Sequence, residues 1–350
     1  MWIKKLIYNA DTIIHAIKQK TIKMGIRNLN RFLREQCGDE IKVTHLSELS
    51  GKKIAIDVSI YLYKFAADNT LIENMYLMLG LFRYYNIIPI FVFDGKPPAE
   101  KMDLLQKRRE NKLEARDEYD RLCITLKMNP DMDTIEKQEI NNTMDMLKRT
   151  FIYISKQQIQ QVKELIRAYG ATYYDAPGEA DELCAMLAVK KKVWACMSED
   201  MDMFVYGCPR IIKYLSLLNH TVVLYDLVEI LNKLGITQTQ LREICVLSGT
   251  DYNMTTDKCA PTLYNTLKLF KKYIKNKGEG GEDCVFYVWL LENTKYITDY
   301  ELLQKINAMF DLSSSLHEKI KVFENIKIMN SNISVDELQE ILKNDGFFFA

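Results

Sequence analysis

The stretch "KKVWACMSEDMDMFVYG", residues 191–207, decides how this chain is read. Up to Met197 it is an apolar run behind two lysines, of a length that suits a buried strand. Directly after it come Glu199, Asp200 and Asp202. Carboxylates this close repel one another and lose hydration if the site is even partly buried. Two other runs have the same form. "KKIAI" ends at Ile56 and is followed by Asp57; "NIIPIFVF" ends at Phe93 and is followed by Asp94. Helical patterns lie between them, "IENMYLMLGLFRYY" (72–85) and "IQQVKELIRAYG" (159–170). Strands rich in Ile, Val and Phe that alternate with helices predict an α/β fold, with a mostly parallel central sheet flanked by helices. In such sheets ligands bind at the carboxyl ends of the strands, where all these acids fall.

One Asp after a strand is commonly the cap of the next helix. Acids after three strands, the third as Asp-x-Asp, fit a different explanation better. Converging carboxylates stay ionised together when a divalent cation sits among them. An all-oxygen set suits Mg²⁺ or Mn²⁺ and not zinc. Two further acidic elements join them. "DAPGEADELCAML" (175–187) reads as a turn into a helix with acids in its first turn, where they also complement the helix dipole. Helical spacing alone pairs Glu179 with Glu182 and leaves Asp181 aside. In "LSGTDYN" (247–253), Asp251 follows the apolar helix "LREICVL" at a glycine turn.

Bulk composition narrows the classes. The chain has 350 residues, 48% apolar and 27% charged, which is an ordinary globular composition with length for a real core. Lys plus Arg equals Asp plus Glu at 47 each, so net charge does not argue for a polyanionic partner; only the distribution of charge can. The eight cysteines are scattered without a CxxC pair, which points to a reducing, intracellular compartment and away from zinc knuckles or a disulfide framework. No apolar run approaches the ~20 residues of a membrane span. The first 23 residues carry Ile13, Ile14 and Ile17 at helical spacing. They lack Arg and contain Asp11, which disfavours a mitochondrial presequence; the expectation is an amphipathic extension, or a start at Met24.

Six blocks, in order, resemble the flap endonuclease (XPG-type) 5′ nucleases: "MGIRNLNRFL" from Met24, "IDVSIYLYKF" (56–65), "FVFDGKPP" (91–98), "APGEADELCA" (176–185), "SEDMDMFVYG" (198–207) and "LSGTDYN". The resemblance spans roughly residues 24 to 275. It implies a PIN-like nuclease core with a helical arch and a C-terminal helical DNA-binding region. It also implies metal-dependent hydrolysis of DNA near single-strand/double-strand junctions or 5′ flaps, with two Mg²⁺ ions that Mn²⁺ can replace. The metal ligands carried over are Asp57, Asp94, Glu179, Asp181, Asp200, Asp202 and Asp251, so the resemblance selects Asp181 where spacing selects Glu182. Glu182 and Asp175 are left to capping or support. Glu179 is also carried over as catalytic, together with the basic pair Lys101 and Arg108 near the arch. These two read as one helix face two turns apart, against the plainer view of a solvated charged surface. Gly25 matches the position where the chain start approaches DNA, and Tyr63 one on which a terminal base stacks, with core packing as its rival.

The implied organisation is an extension at 1–23, a nuclease region at 24–128, the rest of the arch at 129–156, an internal nuclease region at 157–257 and a helical region at 258–350. The expected setting is the nucleus or another site of DNA replication, including a cytoplasmic viral factory, and the expected state is a monomer without a membrane partner.

Two departures bear on the implied function. Lys258 and Ala260 stand where the family's helix–hairpin–helix has glycines, so the backbone cradle for duplex phosphates is altered; Ala does not take φ > 0 cheaply. Lys268, Lys271, Lys272, Lys275 and Lys277 can contact phosphates as point charges, or form a solvated face. In the final stretch "DELQEILKNDGFFFA", Leu342 fits a sliding-clamp peptide, but Asp345 and Gly346 fall where aromatics belong, so clamp binding is not expected. Two rival readings remain. A haloacid-dehalogenase-type phosphomonoesterase fits poorly, because Phe204 stands where its signature needs Thr or Val. A non-catalytic scaffold for branched DNA is weakened because all seven acid positions are acidic.

Overall fold

The computed structural model describes residues 26–129, 134–253, 261–278, 285–312 and 326–347. Met24, Gly25, Lys258 and Ala260 lie outside these residues. The apolar runs become β2 (Lys53–Asp57), β3 (Ile88–Phe93) and β5 (Ala195–Met197), within a seven-stranded sheet. The others are β1 (Ile41–His45), β4 (Thr172–Asp175), β6 (Arg210–Ser216) and β7 (Thr221–Asp226), and the order is β1-β7-β6-β5-β2-β3-β4. The central pairings β2–β3, β2–β5, β3–β4 and β5–β6 are parallel; β7 runs antiparallel to β1 and β6. Ile56 of β2 lies level with Phe91 of β3 and Met197 of β5, so the acids after these strands reach the same edge. Neighbours diverge on either side of β2, which is the topological switch point where open sheets bind ligands.

Alternation along β2 divides the core. Ile54 and Ile56 face one layer with Phe91 and Met197, against helices Ser59–Ala67, Leu71–Tyr84 and Lys156–Ala168. Ala55 faces the other with Ile90, Val92 and Cys196, against helices Ala180–Val189 and Gln238–Ser248. Leu263, Phe270 and Phe286, from helices Leu263–Gly278 and Phe286–Asn293, share that second core, so packing is continuous across residue 257.

Helices Met102–Met128 and Thr134–Thr150 instead pack on one another through their own small core of Ala115, Leu122, Ile140 and Leu147. The first, 27 residues, is about 40 Å long. The C-terminal segment returns to the sheet: Ser331 N–H donates to Gly170 O at 2.8 Å. Leu342 is buried and Phe347 packs on Tyr76 at 6.0 Å. Among the described residues no helix is long and apolar enough to cross a membrane.

Candidate active site

Each acid is held by the element that precedes it. Asp57 ends β2; its Oδ1 accepts from Ser59 N–H at 3.2 Å and its Oδ2 from Ser198 Oγ at 3.1 Å. Asp94, just past β3, accepts from Ser59 Oγ at 2.6 Å and from Ala180 N–H at 2.8 Å. It thereby caps a helix from another strand. Glu179 is the N-cap residue of that helix, Ala180–Val189, and lies outside it. In the first turn of that helix it is Asp181, not Glu182, whose carboxylate joins Asp200 and Asp202. Asp200 takes the Ser198 Oγ on its N–H at 3.1 Å and accepts from Asp202 N–H at 3.0 Å, a tight turn that puts both carboxylates on the same loop. Asp251 follows Gly249, at φ 103°, and the turn is closed by Asn253 Oδ1 accepting from Thr250 N–H at 2.7 Å.

Two loops must touch for this edge to form. Gly95 N–H donates to Gly178 O at 2.7 Å, and a Cβ at Gly95 would lie 1.9 Å from Ala176 O. Only glycine permits that approach.

Asp181, Asp200 and Asp202 each offer a carboxylate oxygen within 4.8 Å of the others'. Asp202 is 0% exposed, and neither of its oxygens has a hydrogen-bond partner in the protein. Burial, then Asp200, Asp251 and Asp181, pushes its carboxyl well above the usual range. Asp181 is raised by burial and by Glu179, and Asp200 by burial with Asp251 adding. Asp57 is pushed up to about 7 by burial, with Asp94 and Asp200 adding. Buried, unpartnered and mutually repelling oxygens of this kind fit a hard divalent cation.

Two cations stand among them. Lys101, 6% exposed, places Nζ 2.6 Å from Glu179 Oε1 and 3.8 Å from Asp251 Oδ2. Burial works to lower its pKa, but Asp181, Glu179 and Asp251 outweigh this and hold it above the ordinary lysine range. Arg108 reaches Asp251 Oδ2 at 3.0 Å. Both thus converge on one carboxylate, as the spacing suggests, although Lys101 belongs to the 3₁₀ turn Ala99–Lys101 and not to the helix it precedes.

Other expected site residues lie further out. Tyr63 is 48% exposed, which excludes a core role, and the Lys112 ammonium sits 5.1 Å over its ring. Lys268, Lys271 and Lys272 are exposed on a helix whose opposite side buries Leu263, Phe270 and Tyr273. Asp175 pairs with Lys163 at 2.5 Å. Glu182 offers its N–H to Asp181 Oδ1 at 2.6 Å.

Sequence reasoning missed four supporting groups. Tyr252 Oη donates to Glu179 Oε2 at 2.5 Å, and Ser59 and Ser198 hold the aspartates as described. Lys213, 1% exposed, donates to Glu199 O from beneath the acidic loop. Its signal was a single charge inside the apolar run "IIKYL" (211–215).

The family profile "XPG N-terminal domain" matches residues 24–115, and "XPG I-region" matches 170–251. The chain belongs to the XPG-type nuclease family. It is 33% identical over 251 residues to "Flap endonuclease 1" of Trypanosoma cruzi (strain CL Brener), covering 65% of this chain and 61% of that relative. With "Flap endonuclease 1" of Mycosarcoma maydis it shares 33% over 248 residues, 65% of this chain and 63% of the relative. The chain thus spans about three-fifths of the length of these relatives. Among solved structures, the catalytic core of Rad2 in complex with DNA substrate superposes with a TM-score of 0.60 at 24% identity, covering 91% of this chain and 94% of that one. Flap endonuclease-1 from Methanococcus jannaschii gives 0.52 at 24%, covering 89% and 99%. The XPG-type fold therefore extends over the C-terminal helices as well as the two profile regions.

Proposed function

We propose that this XPG-type chain is a divalent-metal-dependent 5′ nuclease that hydrolyses phosphodiester bonds in branched, 5′-flap DNA during replication or repair, and trims recessed 5′ ends. One observation carries the reading: Asp181, Asp200 and Asp202 converge at the carboxyl edge of the sheet with both Asp202 oxygens buried and unpartnered. The ion proposed is Mg²⁺, two per site, held by Asp57, Asp94, Glu179, Asp181, Asp200, Asp202 and Asp251. Bound there, the ions supply charge neutralisation and Lewis-acid polarisation.

The chain's own groups do the rest. Lys101 and Arg108 bring positive charge to the rim, where phosphodiester hydrolysis concentrates negative charge on phosphate. Tyr252 fixes the Glu179 carboxylate through its hydroxyl, and Ser59 joins Asp57 to Asp94 so that the two strand ends move as one. Exposed Lys268, Lys271 and Lys272 offer point charges to duplex phosphates.

The test is cleavage of 5′-flap DNA with and without Mg²⁺, by the parent and by Asp200→Asn/Asp202→Asn, with DNA binding measured separately. The expected result is Mg²⁺-dependent cleavage that the double variant loses while it still binds DNA. Unaltered cleavage by the variant would refute the metal assignment, and firm junction binding without parent cleavage would leave a scaffold.

A further inference from the structure

Beyond the acids, the feature that the site leaves unexplained is an exposed aromatic pair beside the arch. Tyr153 is 80% exposed, although its neighbours are anchored: Phe151 packs on Tyr119 at 5.4 Å and Ile154 is buried. Lys112 ties this segment to Tyr63. Its ammonium donates to Ile152 O at 3.3 Å and lies 5.1 Å over the Tyr63 ring. Tyr153 follows Ile152 directly, so the two Lys112 contacts bring the backbone beside Tyr153 to the Tyr63 ring. Lys112 is one helical turn beyond Arg108, itself 3.0 Å from Asp251. A row of cations, Lys101, Arg108 and Lys112, therefore leads from the acids to the two tyrosines.

We propose that Tyr153 is a second stacking platform, beside Tyr63, for an unpaired base of the strand whose 5′ end reaches the acid pocket. The proposal rests on the nuclease reading above and gives its substrate a contact that the resemblance does not supply. A polyanionic backbone follows a row of cations, while its bases need aromatic faces, which only unpaired nucleotides can use fully. Lys112 holds the segment that carries Tyr153 beside Tyr63, through its bond to Ile152 O and its place over the Tyr63 ring. Anchoring on both sides lets the Tyr153 ring present its face at little entropic cost.

The experiment measures binding of a duplex with a 5′ single-stranded tail, and of the same duplex with abasic nucleotides in the tail. Both are measured in the Asp200→Asn/Asp202→Asn background, so that cleavage does not intervene. Tyr153→Ala is expected to weaken binding of the intact tail by about tenfold, within the range of one base–aromatic stack. Tyr153→Phe should bind like the parent. On the abasic tail, parent and Tyr153→Ala should bind equally. Equal affinity of parent and Tyr153→Ala for the intact tail would overturn the proposal, and so would an equal loss on intact and abasic tails. The outcome is separable from the parent reading: absent Mg²⁺-dependent cleavage by the unmodified chain sinks the nuclease assignment, whereas the binding cycle tests the stacking site alone.

Discussion

In the absence of divalent cations, Asp57→Asn should make this protein more stable at pH 8, although it removes a residue of the candidate site. The folded state holds the Asp57 carboxyl at about 7, chiefly through burial, against an ordinary value of 3.8. The unfolded chain releases that proton near 3.8 and the folded chain near 7, so between these values the folded state binds more protons. Stability therefore falls as pH rises through the window, by at most 1.36 kcal/mol per unit. Some three units give a ceiling of ~4 kcal/mol on the penalty that asparagine relieves. Against this, asparagine has one acceptor oxygen where the carboxylate accepts from both Ser59 N–H and Ser198 Oγ, a loss of roughly 1 kcal/mol. The net gain is about 2–3 kcal/mol, or about 3–4 °C in midpoint for a chain of 350 residues. Near pH 4 most of the gain vanishes, since the folded state is then protonated and the unfolded chain partly so.

The assay is thermal unfolding of both proteins in chelator from pH 4 to 8, followed by titration of Mg²⁺ at pH 8. Added Mg²⁺ should raise the parent's midpoint more than the variant's, because only binding to the folded state stabilises it. A variant that melts below its parent at pH 8 in chelator would refute the claim that this pocket carries excess buried charge.

Two other substitutions probe how the acids are held. Gly95→Ala must push its loop off Ala176 O and stretch the bond to Gly178 O; the expected loss is about 2 kcal/mol or more in urea unfolding, with weaker Mg²⁺ binding by calorimetry. Lys213→Met removes the buried cation that donates to Glu199 O and favours ionised Asp200; it should cost about 2–4 kcal/mol in the same unfolding assay, and parent-like stability would show that the acidic loop needs no support from below.

The parts legible in the sequence were those set by local pattern. β2, β3 and β5 are buried on both faces, so they read as continuous apolar runs, and each strand end carries its acid. β6 and β7 are less distinct. Tyr214 takes a left-handed φ of 57° beside a register irregularity between Lys213 and Ser216, which interrupts simple alternation. β1 has exposed Lys42 and Val43, and β4 spans only four residues. Strand order was not legible at all, because the switch point at β2 depends on which layers pack, not on any one segment. The supporting groups failed to show for a related reason. Ser59, Ser198 and Tyr252 are ordinary residues until folding sets them against carboxylates up to 141 positions away. Asp181 came from motif order alone, since helical spacing favoured Glu182.

The seven carboxylates fall into three groups by how their charge is met, and this explains how the chain folds around them. Asp57 and Asp94 are met by N–H groups and serine hydroxyls, dipoles that the sheet edge supplies at no cost in charge. Glu179 and Asp251 are met by Lys101 and Arg108, which the chain brings from beside the arch. Asp181, Asp200 and Asp202 receive less: backbone N–H bonds reach Asp181 and Asp200, and none reaches the Asp202 carboxylate. The electrostatic deficit is greatest at that cluster, and buried Asp57 at the neighbouring strand end shares it. Coulomb attraction grows as the surroundings lose water, so a small dication gains most at that cluster. Protonation can relieve the same cluster while the metal is absent, which is why these carboxyls, together with Asp57, are the ones displaced upward. Proton and metal ion thus compete for the same oxygens, and the Asp57→Asn melt and the Mg²⁺ titration measure the two sides of that competition.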